Sequence, residues 1–141
     1  MKPKLVAEYV DTGKARYVLK HFPFVGDESQ YAAEGTECAA EQDAFWEYVD
    51  IIFANWGGAN SGTFLPDRLK GYAGDIGLDQ GAFDACLDAG RYKATVLADR
   101  DEAVAAGIRA TPTIVIDGEI IGTPHDYEEL KAEIEARLAG Q

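Results

Sequence analysis

The chain has 141 residues, which suits one domain, and 47% of them are hydrophobic, enough for a packed core. Thirteen basic against twenty-five acidic residues give a net charge of -12. That balance argues against nucleic acid and anionic membrane surfaces as partners, because phosphate binding needs clustered Lys and Arg. No apolar run approaches the ~20 residues that span a bilayer, and Met1-Lys2-Pro3-Lys4 carries no signal-peptide pattern.

The first element predicted is a helix ending at Asp11-Thr12-Gly13, with Leu5, Val6, Tyr9 and Val10 on one face. It begins abruptly and reads as the back half of a helix. Lys14 to Phe24 alternates as a strand, with Ala15, Tyr17, Leu19 and His21 on one side, until Pro23 stops it. Phe22 and Phe24 are expected in packing. A lone strand histidine such as His21 reads as satisfied by its surroundings rather than catalytic, since a catalytic His needs a partner.

Gly26-Asp27-Glu28-Ser29 is expected as a loop ending in a helix cap. Helical pattern then runs from Ser29 to Trp56. Gln42-Asp43 breaks it and caps a second helix, whose buried stripe is Phe45, Trp46, Val49, Ile52 and Phe53. Gly35, inside the first of these helices, is a weak point worth about 1 kcal/mol against Ala. Trp56 to Gly62 has loop composition and lacks the spacing of a phosphate-cradling motif.

A short helix follows Pro66, and Gly77-Leu78-Asp79 caps the next, which carries Phe83 and Cys86. Tyr92 to Ala106 is a longer helix with Val96, Leu97, Ala103 and Val104 inward, closed by Gly107. Ile114-Val115-Ile116 is predicted as a buried strand. Asp117-Gly118 is a strong hairpin turn, and Glu119-Ile120-Ile121 the return strand. His125 to Leu138 is predicted as an amphipathic helix.

Cysteine usage is sparse. Cys38 and Cys86 lie 48 positions apart, and no C-x-x-C is present. Two isolated cysteines do not make a four-ligand zinc site. Neither His21 nor His125 stands at ligand spacing from the other or from a cysteine, so no metal and no cofactor is expected.

The stretch Ile108 to Gly118 organises the rest. Read by itself, Thr111-Pro112 favours a trans proline at the head of a strand, because only about 5–6% of X-Pro bonds are cis. A cis bond there would hold an extended backbone edge open to a peptide.

The ordered set of motifs changes the balance. Tyr9-Val10-Asp11-Thr12-Gly13-Lys14, His21-Phe22-Pro23, Ala32-Ala33 with Glu37-Cys38-Ala39, and Phe45-Trp46-Glu47-Tyr48 occupy the first half. Gly77-Leu78-Asp79, Phe83 to Leu87, and Gly107-Ile108 followed by Thr111-Pro112-Thr113 occupy the second. In this order the chain resembles the DsbA-like thioredoxin-fold proteins, disulfide oxidoreductases with a helical domain inserted into the thioredoxin core.

The resemblance implies an α/β thioredoxin-like fold. Residues 1–26 and 107–141 would form core portions and residues 27–106 the helical insertion. It implies that Ala110, Thr111 and Pro112 form a cis-proline loop that holds substrate peptide, and that Cys38 and Cys86 bridge two helices of the insertion. Two buried free thiols remain the first alternative and a redox-active pair the second. It further implies cysteine-containing protein substrates and an extracytoplasmic location.

The departure from the pattern is the lack of the family's first central strand and of C-x-x-C at a helix start, where a thiol pKa is lowered to make an attacking thiolate. The expectation is therefore a truncated domain, inactive as a dithiol oxidoreductase. Its unpaired strand edges would drive a homodimer or a segment-swapped oligomer. Two alternatives stand beside it. One is a non-catalytic peptide-binding module of the same fold. The other is a glutathione-using relative, of the kappa-type transferase and chromene-carboxylate isomerase kind, which also lacks the dithiol.

Overall fold

The computed structural model describes residues 1–124 and 126–141. His125, expected to open the last helix, lies outside the described residues. Tertiary contacts divide the chain into two units: Met1–Leu19 with Gly107–Gln141, and Lys20–Ala106.

In the first unit, α1 (Lys2–Leu5) starts with Pro3 in its first turn, where a missing N–H loses nothing. It runs into a π-helical turn, Val6–Val10, closed by the Asp11 N–H donating to the Val6 carbonyl at 2.9 Å. Gly13, at φ 74°, then takes the left-handed conformation that ends helices without a Cβ clash. Tyr9 is buried against Tyr127, Leu130 and Ile134. Its hydroxyl donates to Glu135 Oε1 at 2.6 Å. The hydrogen bond first, and burial second, push the phenol up to about 12.

The sheet of this unit is a hairpin, β1 (Ile114–Ile116) antiparallel to β2 (Glu119–Gly122). Asp117 and Gly118 both have positive φ, 50° and 83°, which matches the right-handed strand twist in a two-residue loop. The register pairs Ile114 with Gly122 but Val115 with Ile120, so Ile121 is an extra residue on β2. The strand is only half buried. Ile114 and Ile116 pack against the Tyr9 cluster, while Val115 faces solvent. A single covered face gives alternation, not a fully buried strand. Helix α7 (Tyr127–Ala139) is capped by Asp126, whose Oδ1 accepts the Glu129 N–H at 2.9 Å.

The second unit is helical: α2 (Gly26–Ala40), α3 (Phe45–Ala54), α4 (Pro66–Asp75), α5 (Gln80–Asp88) and α6 (Lys93–Ala105). Its core joins Cys38, Tyr48, Ile52, Leu69, Phe83 and Cys86. Tyr48 is fully buried and donates to the Leu69 carbonyl at 2.8 Å. Gly35 is therefore the seat of that ring rather than a weak point. A Cβ there would lie 3.0 Å from the Tyr48 hydroxyl. Asp79 caps α5 through Ala82 N–H at 2.9 Å. Gln42 reaches across to the same residue, accepting the Asp79 N–H at 2.7 Å.

Several expectations are corrected. Lys14–Phe24 is not a strand: among the described residues it has no sheet partner, and alternation without a neighbouring ladder makes no sheet. Its end is held by side chains instead. The His21 N–H donates to Asp99 Oδ2 at 3.1 Å, and Lys20 pairs with Asp99 and Glu102. Ser29 lies inside α2, which begins at Gly26, and its hydroxyl bonds back to the Val25 carbonyl. Asp43 turns the chain at φ 57° but makes no cap bond to α3. Phe24, Phe53 and Val104, expected inside, are exposed.

Candidate functional site

The Ala110-Thr111-Pro112 segment leads from α6 to β1 and is exposed throughout. The Thr111–Pro112 bond is cis. Hydroxyls brace both sides of the loop. Thr113 Oγ1 donates to the Ala110 carbonyl at 2.6 Å, and Thr123 Oγ1, just past β2, donates to the Pro112 carbonyl at 2.7 Å. Between these fixed points, neither the N–H nor the carbonyl of Thr111 is bonded among the described residues. An exposed backbone pair held in place by its neighbours is what an incoming extended chain needs for strand addition. Sequence reasoning missed Thr123. It stood in a Gly-Thr-Pro break, and only the register of the hairpin brings its hydroxyl back to Pro112.

Cys38 and Cys86 form a disulfide between α2 and α5, with Cα atoms 5.8 Å apart. Both residues are buried, at 1% and 0% exposure. Tyr48 and Phe83 pack their rings 5.2 Å apart in the same core. Thiol–disulfide exchange needs a thiolate to reach a sulfur. Burial keeps a thiolate from these sulfurs, and no other cysteine is present in the chain.

The remaining titratable candidates are structural in their contacts. His21 is 5% exposed; its Nε2 lies 2.7 Å from Glu37 Oε1, and its ring packs near Phe45. Glu28, buried at the start of α2, accepts the Gly62 and Phe64 N–H groups at 2.9 Å each. It fixes the Gly-rich loop to the helix by charge-assisted bonds. No sequence signal marks a Glu for such a role. Among the described residues, no cluster of three or more His, Cys, Asp or Glu side chains has metal-holding geometry.

With the loop, the hairpin and the helical unit described, comparison with known proteins decides the family. A family model described as thioredoxin matches residues 1–136. The chain belongs to the thioredoxin family. Within it, the fold is of the DsbA-like type. The structure of BdbD from Bacillus subtilis in its oxidised form superposes with a TM-score of 0.88 and 26% identity, over 98% of this chain and 76% of that one.

Curated relatives fall into two groups. A Na(+)/H(+) antiporter NhaA of Herminiimonas arsenicoxydans is 34% identical over 89% of this chain and 19% of its own length. Disulfide bond formation protein D of Bacillus subtilis is 26% identical over 99% of this chain and 64% of its own. The chain thus spans about a fifth of the antiporter relative and under two thirds of the disulfide-forming one. Among the described residues, no helix is long and apolar enough to cross a membrane.

Proposed function

We propose that residues 1–141 are the substrate-holding part of a DsbA-like thiol-disulfide oxidoreductase and do not themselves exchange disulfides. Ala110, Thr111 and Pro112 bind an extended, cysteine-containing polypeptide through the open Thr111 backbone. The observation that carries this reading is the exposed, braced and unbonded Thr111 edge on a fold shared with disulfide-forming proteins. Residues 27–106 serve as a helical insertion between core portions 1–26 and 107–141. Cys38–Cys86 staples that insertion. Its sulfurs are joined to each other and buried, so neither presents the thiolate that exchange requires.

The relatives named for disulfide formation support cysteine-containing substrates and an extracytoplasmic setting, where disulfides persist. The hairpin has no third strand among the described residues, and open edges recruit strands. The chain accordingly self-associates at micromolar concentration, which light scattering reads directly; a monomer would remove this part of the proposal.

Insulin reduction under dithiothreitol tests the catalytic half. The 141-residue chain leaves the rate at that of dithiothreitol alone. A rate several-fold above that background would overturn the reading of Cys38–Cys86 as a staple.

A further inference from the structure

The helical unit contains a cavity of about 610 Å³ that plays no part in the proposed redox fold. Its size lies within the roughly 300–1,000 Å³ of small-molecule sites. Glu34 of α2 lines it and is only 4% exposed. One carboxylate oxygen, Oε1, accepts the Gln30 amide at 2.9 Å. The other, Oε2, has no hydrogen-bond or ion-pair partner among the described residues. It faces Gly90, where even a Cβ would come no nearer than 3.9 Å. The side chain is otherwise buried and Oε2 is not shut off from solvent, so this oxygen is the open face that Glu34 turns to a donor or cation in the cavity.

The opposite sign is supplied at the same cavity. Lys93, the first residue of α6, lines it, is exposed and has no ion-pair partner among the described residues. No side chain caps that helix start, so the uncapped N–H groups and the helix dipole add to the attraction for a carboxylate. Apolar walls complete the site: Pro23 and Leu87 are buried, Leu97 is half-buried, and the Phe24 ring is 56% exposed. Phe24 was expected in the core. Beside this cavity its exposure gives an apolar ligand a face to cover.

We infer that this cavity binds a small zwitterion with an apolar side group, an α-amino acid or a dipeptide. Its ammonium meets Glu34 Oε2 and its carboxylate meets Lys93 at the start of α6. Asp27, Asp88 and Arg100 also line the cavity, Asp88 paired with Lys70 and Arg100 with Asp101. A simple cation leaves Lys93 unanswered, and a simple anion is repelled by Glu34 and Asp27.

Titration of the full chain by NMR or calorimetry tests this with L-phenylalanine and L-phenylalanyl-L-leucine, against phenethylamine and 3-phenylpropionate as single-charge probes. The zwitterions bind with Kd of about a millimolar or tighter, and each single-charge probe is weaker by roughly tenfold. Equal affinity for the dipeptide and the amino acid points to free amino acids as the source. Tighter dipeptide binding points to peptide fragments. Glu34→Gln and Lys93→Met each weaken zwitterion binding by roughly tenfold with an unchanged circular dichroism spectrum. Should Glu34→Gln unfold the chain, the exposed Lys93→Met variant decides alone. The proposal is overturned by phenethylamine binding as tightly as phenylalanine, by no saturable binding of any probe, or by unaltered affinity in Lys93→Met.

Discussion

Reducing Cys38–Cys86 removes a constraint from the unfolded chain while leaving the folded contacts in place. The bridge closes a loop with a sequence separation of 48. In the chain-entropy treatment that length corresponds to about 4 kcal/mol at 25 °C. For a domain of 60–100 residues, each kcal/mol moves Tm by roughly 4–8 °C, so loss of the bridge in the Lys20–Ala106 unit predicts a fall of about 20 °C. The assay is thermal unfolding followed by circular dichroism at 222 nm, comparing the oxidised chain with one reduced by a phosphine under denaturant and refolded. Both sulfurs stay in the core after reduction, so no packing volume is lost and the shift reads the constraint alone. A shift under about 5 °C would refute the reasoning, because the unfolded chain would then be held by something other than the bridge.

Two further outcomes follow from the packing of Tyr48 and Tyr9. Gly35→Ala places a methyl 3.0 Å from the Tyr48 hydroxyl and costs about 1–3 kcal/mol in urea unfolding. Tyr48→Phe alone loses the buried bond to the Leu69 carbonyl, about 1–2 kcal/mol, and the double variant costs less than the sum because the contact with the hydroxyl is removed, while that with the ring Cε1, also at 3.0 Å, remains. Tyr9 ionises near 10 when unfolded and only at about 12 when folded. Between those values the folded chain holds the proton that the unfolded chain has lost, so stability is full below pH 10 and falls as pH rises through about 12. Tyr9→Phe flattens that decline in alkaline urea titrations; an unaltered slope would remove Tyr9 as its source.

The organising stretch was the most legible part of the sequence, because turn chemistry is local. Asp117-Gly118 demands positive φ and received it at both residues. The cysteines were placed on two helices, and the structure joins α2 to α5 through them. The misreadings share a cause: they depend on what lies opposite. Lys14–Phe24 has strand alternation, but a strand also needs a neighbour, which no local pattern supplies. Phe53 continues the apolar run of α3, yet it sits at 72% exposure, while Tyr48, four residues before Ile52, takes the buried place. Nothing in the local sequence marks Glu28, expected in a loop, or Glu34 as buried. Each is buried, Glu28 by backbone donors 34 and 36 positions away in sequence, and Glu34 beside a cavity.

The central claim is that the open backbone at Thr111 holds substrate chain. Its most direct test is a ¹H–¹⁵N NMR titration of the 141-residue protein with an extended peptide whose cysteines are replaced by serine, so that only non-covalent binding is read. Saturable shifts concentrated at the Thr111 and Thr113 amides and over β1, abolished by Pro112→Ala, are the predicted result. An absence of shifts there, or shifts confined to the Lys20–Ala106 unit, would contradict it.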